Sequence, residues 1–210
     1  MKTAQRHENA DRVVLRLLES VEANGLQSQR HLATEMGVAL GLVNAYLKKC
    51  VNKGLIKFKQ APAKRYKYYL TPRGFAEKSR LTVSYLSHSL AFFRRARADC
   101  ASVLAEIRTR GWRRVALIGA TDLAEIARLC APEHDVAIVL VVDPLLEATE
   151  FGGIPVVRSL DELSDVEAVV VTDLSKTREI YRTAVKKFGS DRVYAPELLL
   201  SKMVSRGAAA

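Results

Sequence analysis

Asn44, Lys48 and Lys49 fall at helical spacing within Leu40–Lys53, a segment whose remaining positions form an apolar stripe. Residues four apart share one face of a helix, so an amide and two ammonium groups would project together. An Asn amide carries a donor and an acceptor that match an adenine edge, a pairing worth about 1–3 kcal/mol of discrimination, while ammonium groups suit phosphate oxygens. Ala39, Gly41 and Ala45 complete a face of small or polar groups. Ser28, Gln29 and Arg30 open the preceding helical segment, where a helix crossing a phosphate backbone would place them. Five more cations, Lys57, Lys59, Lys64, Arg65 and Lys67, flank a predicted turn.

A different chemistry is suggested by Gly119-Ala120-Thr121-Asp122-Leu123-Ala124, which follows an apolar strand and opens a helix. A helix N-terminus reached by a glycine turn binds phosphate, and this is the place where a Rossmann domain holds a dinucleotide. That fingerprint requires glycine at 119, 121 and 124. Gly119 is present and Ala124 is an accepted substitute, but Thr121 places a side chain where pyrophosphate must approach the backbone, and Asp122 adds negative charge beside it. Asp143, 24 residues after Gly119, ends the next strand in a position suited to a ribose hydroxyl. Thr172, at the end of a third strand, would line the same crevice. These residues define a candidate site for a nucleotide or nucleotide-sugar, with NAD disfavoured by Thr121. Side chains filling the crevice would remove it.

Signals of catalysis are weak. No Ser–His–Asp order, paired-carboxylate motif or metal-ligand cluster stands out, and Tyr181 and Lys186 are spaced by five rather than four. Asp161-Glu162 reads as the acidic first turn of a helix. The expectation is a protein that is not an enzyme. Cys50, Cys100 and Cys130 lie too far apart for a disulfide framework or a metal spacing, which points to a reducing, cytoplasmic setting. The N-terminus is polar, and the longest apolar run, Val136–Val142, falls well short of the roughly 20 residues that span a bilayer.

The elements that must position these residues follow from periodicity. Val13, Val14, Leu17, Leu18 and Val21 form a helical stripe that Asn24-Gly25 ends. Ser28 caps a helix over Gln29–Met36, Gly37 turns, and a third helix buries Leu42, Val43, Tyr46, Leu47 and Cys50. Leu55–Lys59 alternates apolar and basic residues, Ala61–Arg65 turns, and Tyr66–Leu70 returns as a second strand. Helix, helix, turn, helix and hairpin is the order of a winged helix. Thr71-Pro72 then starts a long helix to about Arg110. Its Leu86, Leu90, Phe93, Cys100, Leu104 and Ile107 have 4-3 spacing, broken at Arg97, and suggest a seam with a second copy of the chain.

After Gly111 the pattern becomes strand–helix alternation, with strands at Val115–Gly119, Val136–Val142, Ile154–Val157, Glu167–Thr172 and Val193-Tyr194. Helices fall at Asp122–Cys130 and Lys176–Phe188, with a short helical turn at Asp161–Leu163. Continuous apolar strands separated by helices imply a parallel sheet covered on both faces.

Charge separates the halves. Residues 1–110 hold 21 Lys+Arg against 8 Asp+Glu, net +13, and residues 111–210 hold 12 against 15, net −3. A polyanion partner for the first half, double-stranded DNA, follows from that balance together with the recognition-like helix and basic hairpin.

Gln29-Arg30-His31-Leu32-Ala33, Gly41-Leu42-Val43-Asn44, Lys53-Gly54-Leu55-Ile56-Lys57 and the run from Tyr69-Leu70-Thr71-Pro72-Arg73-Gly74 to Thr82 resemble MarR-like winged-helix regulators, specifically the subgroup associated with exopolysaccharide clusters. The resemblance covers about residues 10–90 and implies a dimeric transcription factor. The segment from Phe151-Gly152-Gly153 through Leu163 resembles Rossmann-like half-domains of sugar-nucleotide-modifying and polysaccharide enzymes, and also Rex-type redox sensors, which place a winged helix before a Rossmann domain.

The sequence thus predicts a two-domain α/β protein. A winged helix-turn-helix spans 1–75, a connecting and dimerising helix 76–110, and a Rossmann-like parallel α/β domain 111–210. The predicted activity is transcriptional regulation through DNA, with the second domain sensing a metabolite. The different-class alternatives are an NAD(H)-responsive regulator and a scaffold whose α/β domain binds another protein.

Overall fold

The computed structural model describes residues 2–26, 28–61 and 65–205, with side chains for 9–26, 28–60 and 66–201. Two compact units emerge, Met1–Leu90 and Ala91–Ala210. The division falls within one long helix, inside the segment 76–110 that the sequence sets apart as a connector.

In the first unit, α1 (Lys2–Ala23), α2 (Gln29–Met36) and α3 (Leu40–Asn52) precede a hairpin of β1 (Ile56–Ala61) and β2 (Arg65–Leu70). α1 begins nine residues earlier than its apolar stripe predicts, because the polar residues before Asp11 contain neither Pro nor Gly to stop a helix. The core draws Leu17, Leu18 and Val21 from α1, Leu32 and Met36 from α2, Val43, Leu47 and Cys50 from α3, and Ile56, Tyr68 and Leu70 from the hairpin. Leu42 departs from expectation: it is 42 % exposed. It sits about 100° around the helix from Val43, outside the stripe that Val43, Leu47 and Cys50 define.

The hairpin is tied to the helices by backbone contacts. Tyr68 N–H donates to the Gly25 carbonyl at 2.8 Å. A Cβ at position 25 would lie 2.1 Å from the Tyr68 carbonyl oxygen, so only glycine lets the α1–α2 turn approach the strand this closely.

α4 (Pro72–Thr109) starts as predicted, with Thr71 Oγ1 accepting from Gly74 N–H at 3.0 Å and donating to the Gly54 carbonyl. The predicted seam along it is two features, not one. Ala96, Cys100, Leu104 and Ile107 are buried in the core of the second unit, whereas Leu86, Leu90 and Phe93 are 53 %, 59 % and 42 % exposed. Cys100, Leu104 and Ile107 are therefore unavailable to a second copy.

The second unit contains β3 (Arg114–Ile118), α5 (Asp122–Cys130), β4 (Ala137–Val142), β5 (Glu150–Phe151), β6 (Ile154–Val157), β7 (Ala168–Val171), α6 (Thr177–Phe188), β8 (Val193–Tyr194) and α7 (Glu197–Ser205). The sheet order is β5-β6-β4-β3-β7-β8, all parallel except β5, which runs antiparallel to β6 at the edge. Taking the parallel strands alone, chain order reads 3-2-1-4-5, which puts the reversal of winding between β3 and β7. Alternate residues serve opposite faces: Val115 and Leu117 join the core with α5 and the end of α4, while Ala116 and Ile118 pack with Ala184 of α6. The mixed α/β layout expected from the sequence is present: a winged helix, a long helix, then a parallel sheet covered by helices.

α7 is absent from the sequence reading. Pro196 and Glu197 mark its start, Leu198 N–H donates to Asp99 Oδ2 at 2.8 Å, and Leu199 is fully buried. Among the described residues no helix is long and apolar enough to cross a membrane.

Candidate nucleic-acid interface and the Gly119 turn

α2 and α3 place the predicted polar face outward. Ser28 caps α2, its Oγ accepting from His31 N–H at 3.1 Å. The hydroxyl proton stays free to be donated to a phosphate. Gln29 is already engaged: its Nε2 donates to Tyr68 Oη at 3.0 Å and ties α2 to the hairpin. Arg30 is exposed. On α3, Ala39, Gly41, Asn44, Ala45, Lys48 and Lys49 are all exposed while Val43, Leu47 and Cys50 are buried beneath them. Lys49 Nζ lies 5.7 Å from the centre of the Tyr46 ring. Leu40 and Leu42, exposed on the same helix, join this surface and were not foreseen. Leu42 is signalled by its offset from the Val43–Leu47–Cys50 stripe, whereas Leu40 lies on that stripe and is exposed at the first position of α3. The Cys50 thiol beneath the helix is pushed up to about 11 by burial, which keeps it protonated and inert near neutral pH.

The hairpin sorts its side chains by strand alternation. Ile56, Tyr68 and Leu70 point to the core, and Phe58 extends this face outward, 5.6 Å from the Tyr66 ring in an edge-to-face contact. Lys57, Lys59 and Lys67 occupy the other face, all exposed. The register sets Lys59 directly opposite Lys67. Like charges facing across an antiparallel pair are destabilising by a few tenths of a kcal/mol to about 1 kcal/mol, and an anion between them relieves that cost. Lys64 lies outside the described residues, and Arg65 begins β2 with its side chain outside the described set.

Some cations are held in ion pairs and others are not. Arg97, Arg108, Arg110, Arg113, Arg114, Arg128 and Lys187 of the second unit each pair with a carboxylate. Among the described residues, Arg30, Lys48, Lys49, Lys57, Lys59 and Lys67 have no such partner; in the first unit Lys78–Glu22 joins α4 to α1 and Arg80–Glu77 lies within α4.

The turn after β3 forms as predicted, but its polar groups close on one another. Gly119 has φ of +105°, and a Cβ there would lie 2.7–2.9 Å from Asp173 atoms, so glycine is required by close packing against the end of β7. Thr121 Oγ1 donates to the Thr172 carbonyl at 2.8 Å, bridging the strand ends where a pyrophosphate would enter. Asp143, expected to hold a ribose, instead accepts from Ala120 N–H at 2.9 Å through Oδ2 and from Leu145 and Leu146 N–H through Oδ1. The amide that would face a phosphate is thus already bound to a carboxylate. Thr172 is fully buried and donates to the Ile118 and Gly119 carbonyls, and Leu123 is a core residue. Asp122 is exposed in the first turn of α5, where it favours the helix dipole and repels an anion. Of these seven residues, Gly119, Ala120, Thr121, Asp143 and Thr172 are joined by hydrogen bonds among themselves.

No curated protein sequence matches the chain. Similar solved structures include the PcaV transcriptional regulator from Streptomyces coelicolor in complex with its natural ligand, at 17 % identity over 44 % of this chain and 74 % of that one, TM-score 0.38. Human N-acetylserotonin methyltransferase in complex with SAM is similar at 13 % identity over 81 % and 68 % of the two chains, TM-score 0.32. PigF with SAH is similar at 12 % identity over 93 % of this chain and 58 % of that one, TM-score 0.23. The expectation of a protein that is not an enzyme is corrected by these last two: the likeness reaches a methyltransferase, so the chain is not set apart from enzymes. At such identities the likeness assigns no reaction, cofactor or residue to this chain. Residues 11–57 match the family model described as winged helix-turn-helix DNA-binding, and the N-terminal unit accordingly carries a winged helix-turn-helix DNA-binding domain.

Proposed function

We propose that this chain is a sequence-specific transcription regulator that grips double-stranded DNA through its first unit and acts as a homodimer. One observation carries the reading: among the described residues, the exposed cations Arg30, Lys48, Lys49, Lys57, Lys59 and Lys67 of α2, α3 and the wing have no carboxylate partner. Such an array repels itself and is stabilised by a polyanion. In this reading Asn44 meets a base edge in the major groove, with Leu40 and Leu42 near thymine methyl groups. Lys48, Lys49, Arg30 and the Ser28 hydroxyl contact phosphates, and Lys57, Lys59, Lys67, Arg65 and Lys64 extend the footprint along the backbone.

The dimer is proposed along the exposed apolar positions Leu86, Leu90 and Phe93, because three large apolar side chains at 4-3 spacing on one helix remain exposed within a single chain. Two-fold symmetric proteins read two half-sites about one helical turn apart. The second unit supplies the sensing or interaction function, in a cytoplasmic setting. A nucleotide at the Gly119 turn does not form part of the proposal, because Thr121 and Asp143 already satisfy the groups that would hold it.

The test is fluorescence anisotropy of the full chain on a 30-bp duplex of mixed sequence, with light scattering for mass. Six phosphate contacts, one for each of Arg30, Lys48, Lys49, Lys57, Lys59 and Lys67, predict an affinity about 10³-fold weaker at 200 mM than at 50 mM salt. Absence of duplex binding at 50 mM salt refutes the reading.

A further inference from the structure

At the N-terminal ends of β3 and β4, the opposite end of the strands from the Gly119 turn, the second unit holds a solvent-open cleft of about 520 Å³. That size is within the range of small-molecule sites, about 300–1,000 Å³. Ile138 and Ile154 give it apolar walls, and Arg113 and Arg128 line it with guanidinium groups. Part of its lining is a strand edge. β4 is joined to β6 only through Val141–Val156 and Val142–Val157. Ala137 and Ile138, which line the cleft, therefore have no partner strand on that side among the described residues.

The two lining arginines leave donors unused. Arg108 and Arg113 both bind Asp135 Oδ2, each at 3.1 Å, so one carboxylate serves two cations. Arg128 directs Nε and Nη2 to a single oxygen, Glu125 Oε2, at 3.2 and 2.8 Å. A guanidinium has five N–H donors, and both arginines retain several. Arg128 is also held in place by the β5–β6 turn: a Cβ at Gly152 would fall 2.7 Å from its Nε, so the turn backbone rests against the guanidinium. Two guanidinium groups with unused donors, one of them restrained, an open strand edge and apolar walls together suit a compact amphiphilic anion.

We propose that this cleft binds a small metabolite bearing an oxyanion, a carboxylate or a phosphate, on a short apolar body. The oxyanion meets Arg113 and Arg128, and the body lies against Ile138 and Ile154. The site is independent of the DNA-binding reading and lies away from the Gly119 turn.

The test is a heteronuclear NMR titration of the isotope-labelled full chain with two probes in separate arms, hexanoate and butyl phosphate. Saturable shifts at the Ala137, Ile138, Gly152 and Gly153 amides are expected with at least one, and the arm that saturates identifies the oxyanion. Arg113→Gln and Arg128→Gln should each weaken that binding about tenfold or more, the usual loss for a charge-assisted hydrogen bond. Ile138→Trp, which fills the space, should abolish it while leaving the rest of the spectrum folded. No saturable shift with either probe up to about 10 mM, weaker than any useful affinity, overturns the proposal. So do shifts centred on Gly119–Thr121, or shifts unchanged in Arg113→Gln and Ile138→Trp.

Discussion

Replacing Lys59 and Lys67 together by Gln should weaken DNA binding and at the same time stabilise the fold. The two lysines face each other across the β1–β2 ladder and have no carboxylate partner among the described residues. In the free protein they repel, so their removal should raise stability by about 0.2–1 kcal/mol. Bound to DNA, each neutralises one phosphate in the proposed footprint. The slope of log affinity against log salt is about −0.9 per contact, so six contacts give a slope near −5.4 and four give about −3.6. Between 50 and 200 mM salt the wild-type chain should lose about 10³ in affinity and the double variant only about 10². The slope is measured by anisotropy on a mixed-sequence duplex, and the stability by urea unfolding. A slope unchanged within about 0.5 of wild type, with affinity intact, refutes the assignment of the wing to the phosphate backbone. A loss of stability refutes the electrostatic reading of the facing lysines.

Three further outcomes follow from the same structure. Leu86→Arg with Leu90→Arg, at positions exposed in the single chain, should halve the mass seen by light scattering with little change in the circular dichroism spectrum; an unchanged mass places the dimer elsewhere. Gly25→Ala should cost about 3 kcal/mol in urea unfolding, because the new Cβ would collide with the Tyr68 carbonyl and break the Gly25–Tyr68 backbone bond; a change below about 0.5 kcal/mol would contradict that contact. Glu167 accepts from the Arg113 and Arg114 backbone N–H groups, which holds its carboxyl below the usual range. A depressed folded-state value adds stability above the unfolded pKa and loses it as pH falls through the folded one. The stability gap between wild type and Glu167→Gln should therefore be complete above about pH 4.5 and close on further acidification.

Much of the fold was legible because short-range signals agreed with long-range packing. Ser28 before an apolar-periodic segment and Gly37 after it delimit α2, and the structure places both at the caps, Gly37 with φ of +64°. The outer face of α3 could be read from the buried stripe alone, except that Leu42 was assigned inward by residue type rather than by angle. Along the long helix one 4-3 pattern serves two environments, the core of the second unit at Cys100, Leu104 and Ile107 and solvent at Leu86, Leu90 and Phe93, and periodicity does not record what a stripe packs against. α7 is short, its apolar residues Leu198, Leu199 and Leu200 are consecutive rather than periodic, and the Asp99 carboxylate that binds its first turn lies far away in sequence.

At the sites, residue types were legible but their partners were not. Thr121 was recognisable as an obstacle in the Gly119 turn. That Asp143 turns back to the Ala120 amide depends on how β4 ends beside β3, which no local pattern states. The opposition of Lys59 and Lys67 likewise needs the hairpin register. The cleft beside Arg113 and Arg128 draws on three separate stretches of the chain, around 113, 128–138 and 152–154, and none of them forms a motif.

The central claim is that α3 reads duplex DNA through the face bearing Asn44. Selection of bound duplexes from a random pool, run in parallel with the wild-type full chain and Asn44→Ala, tests it most directly. The account predicts that the wild type enriches a motif repeated with two-fold symmetry, and that Asn44→Ala retains duplex binding but loses preference at one adenine position in each half, a difference of about 1–3 kcal/mol. Enrichment of the same motif by both proteins, or of none by the wild type, would contradict it.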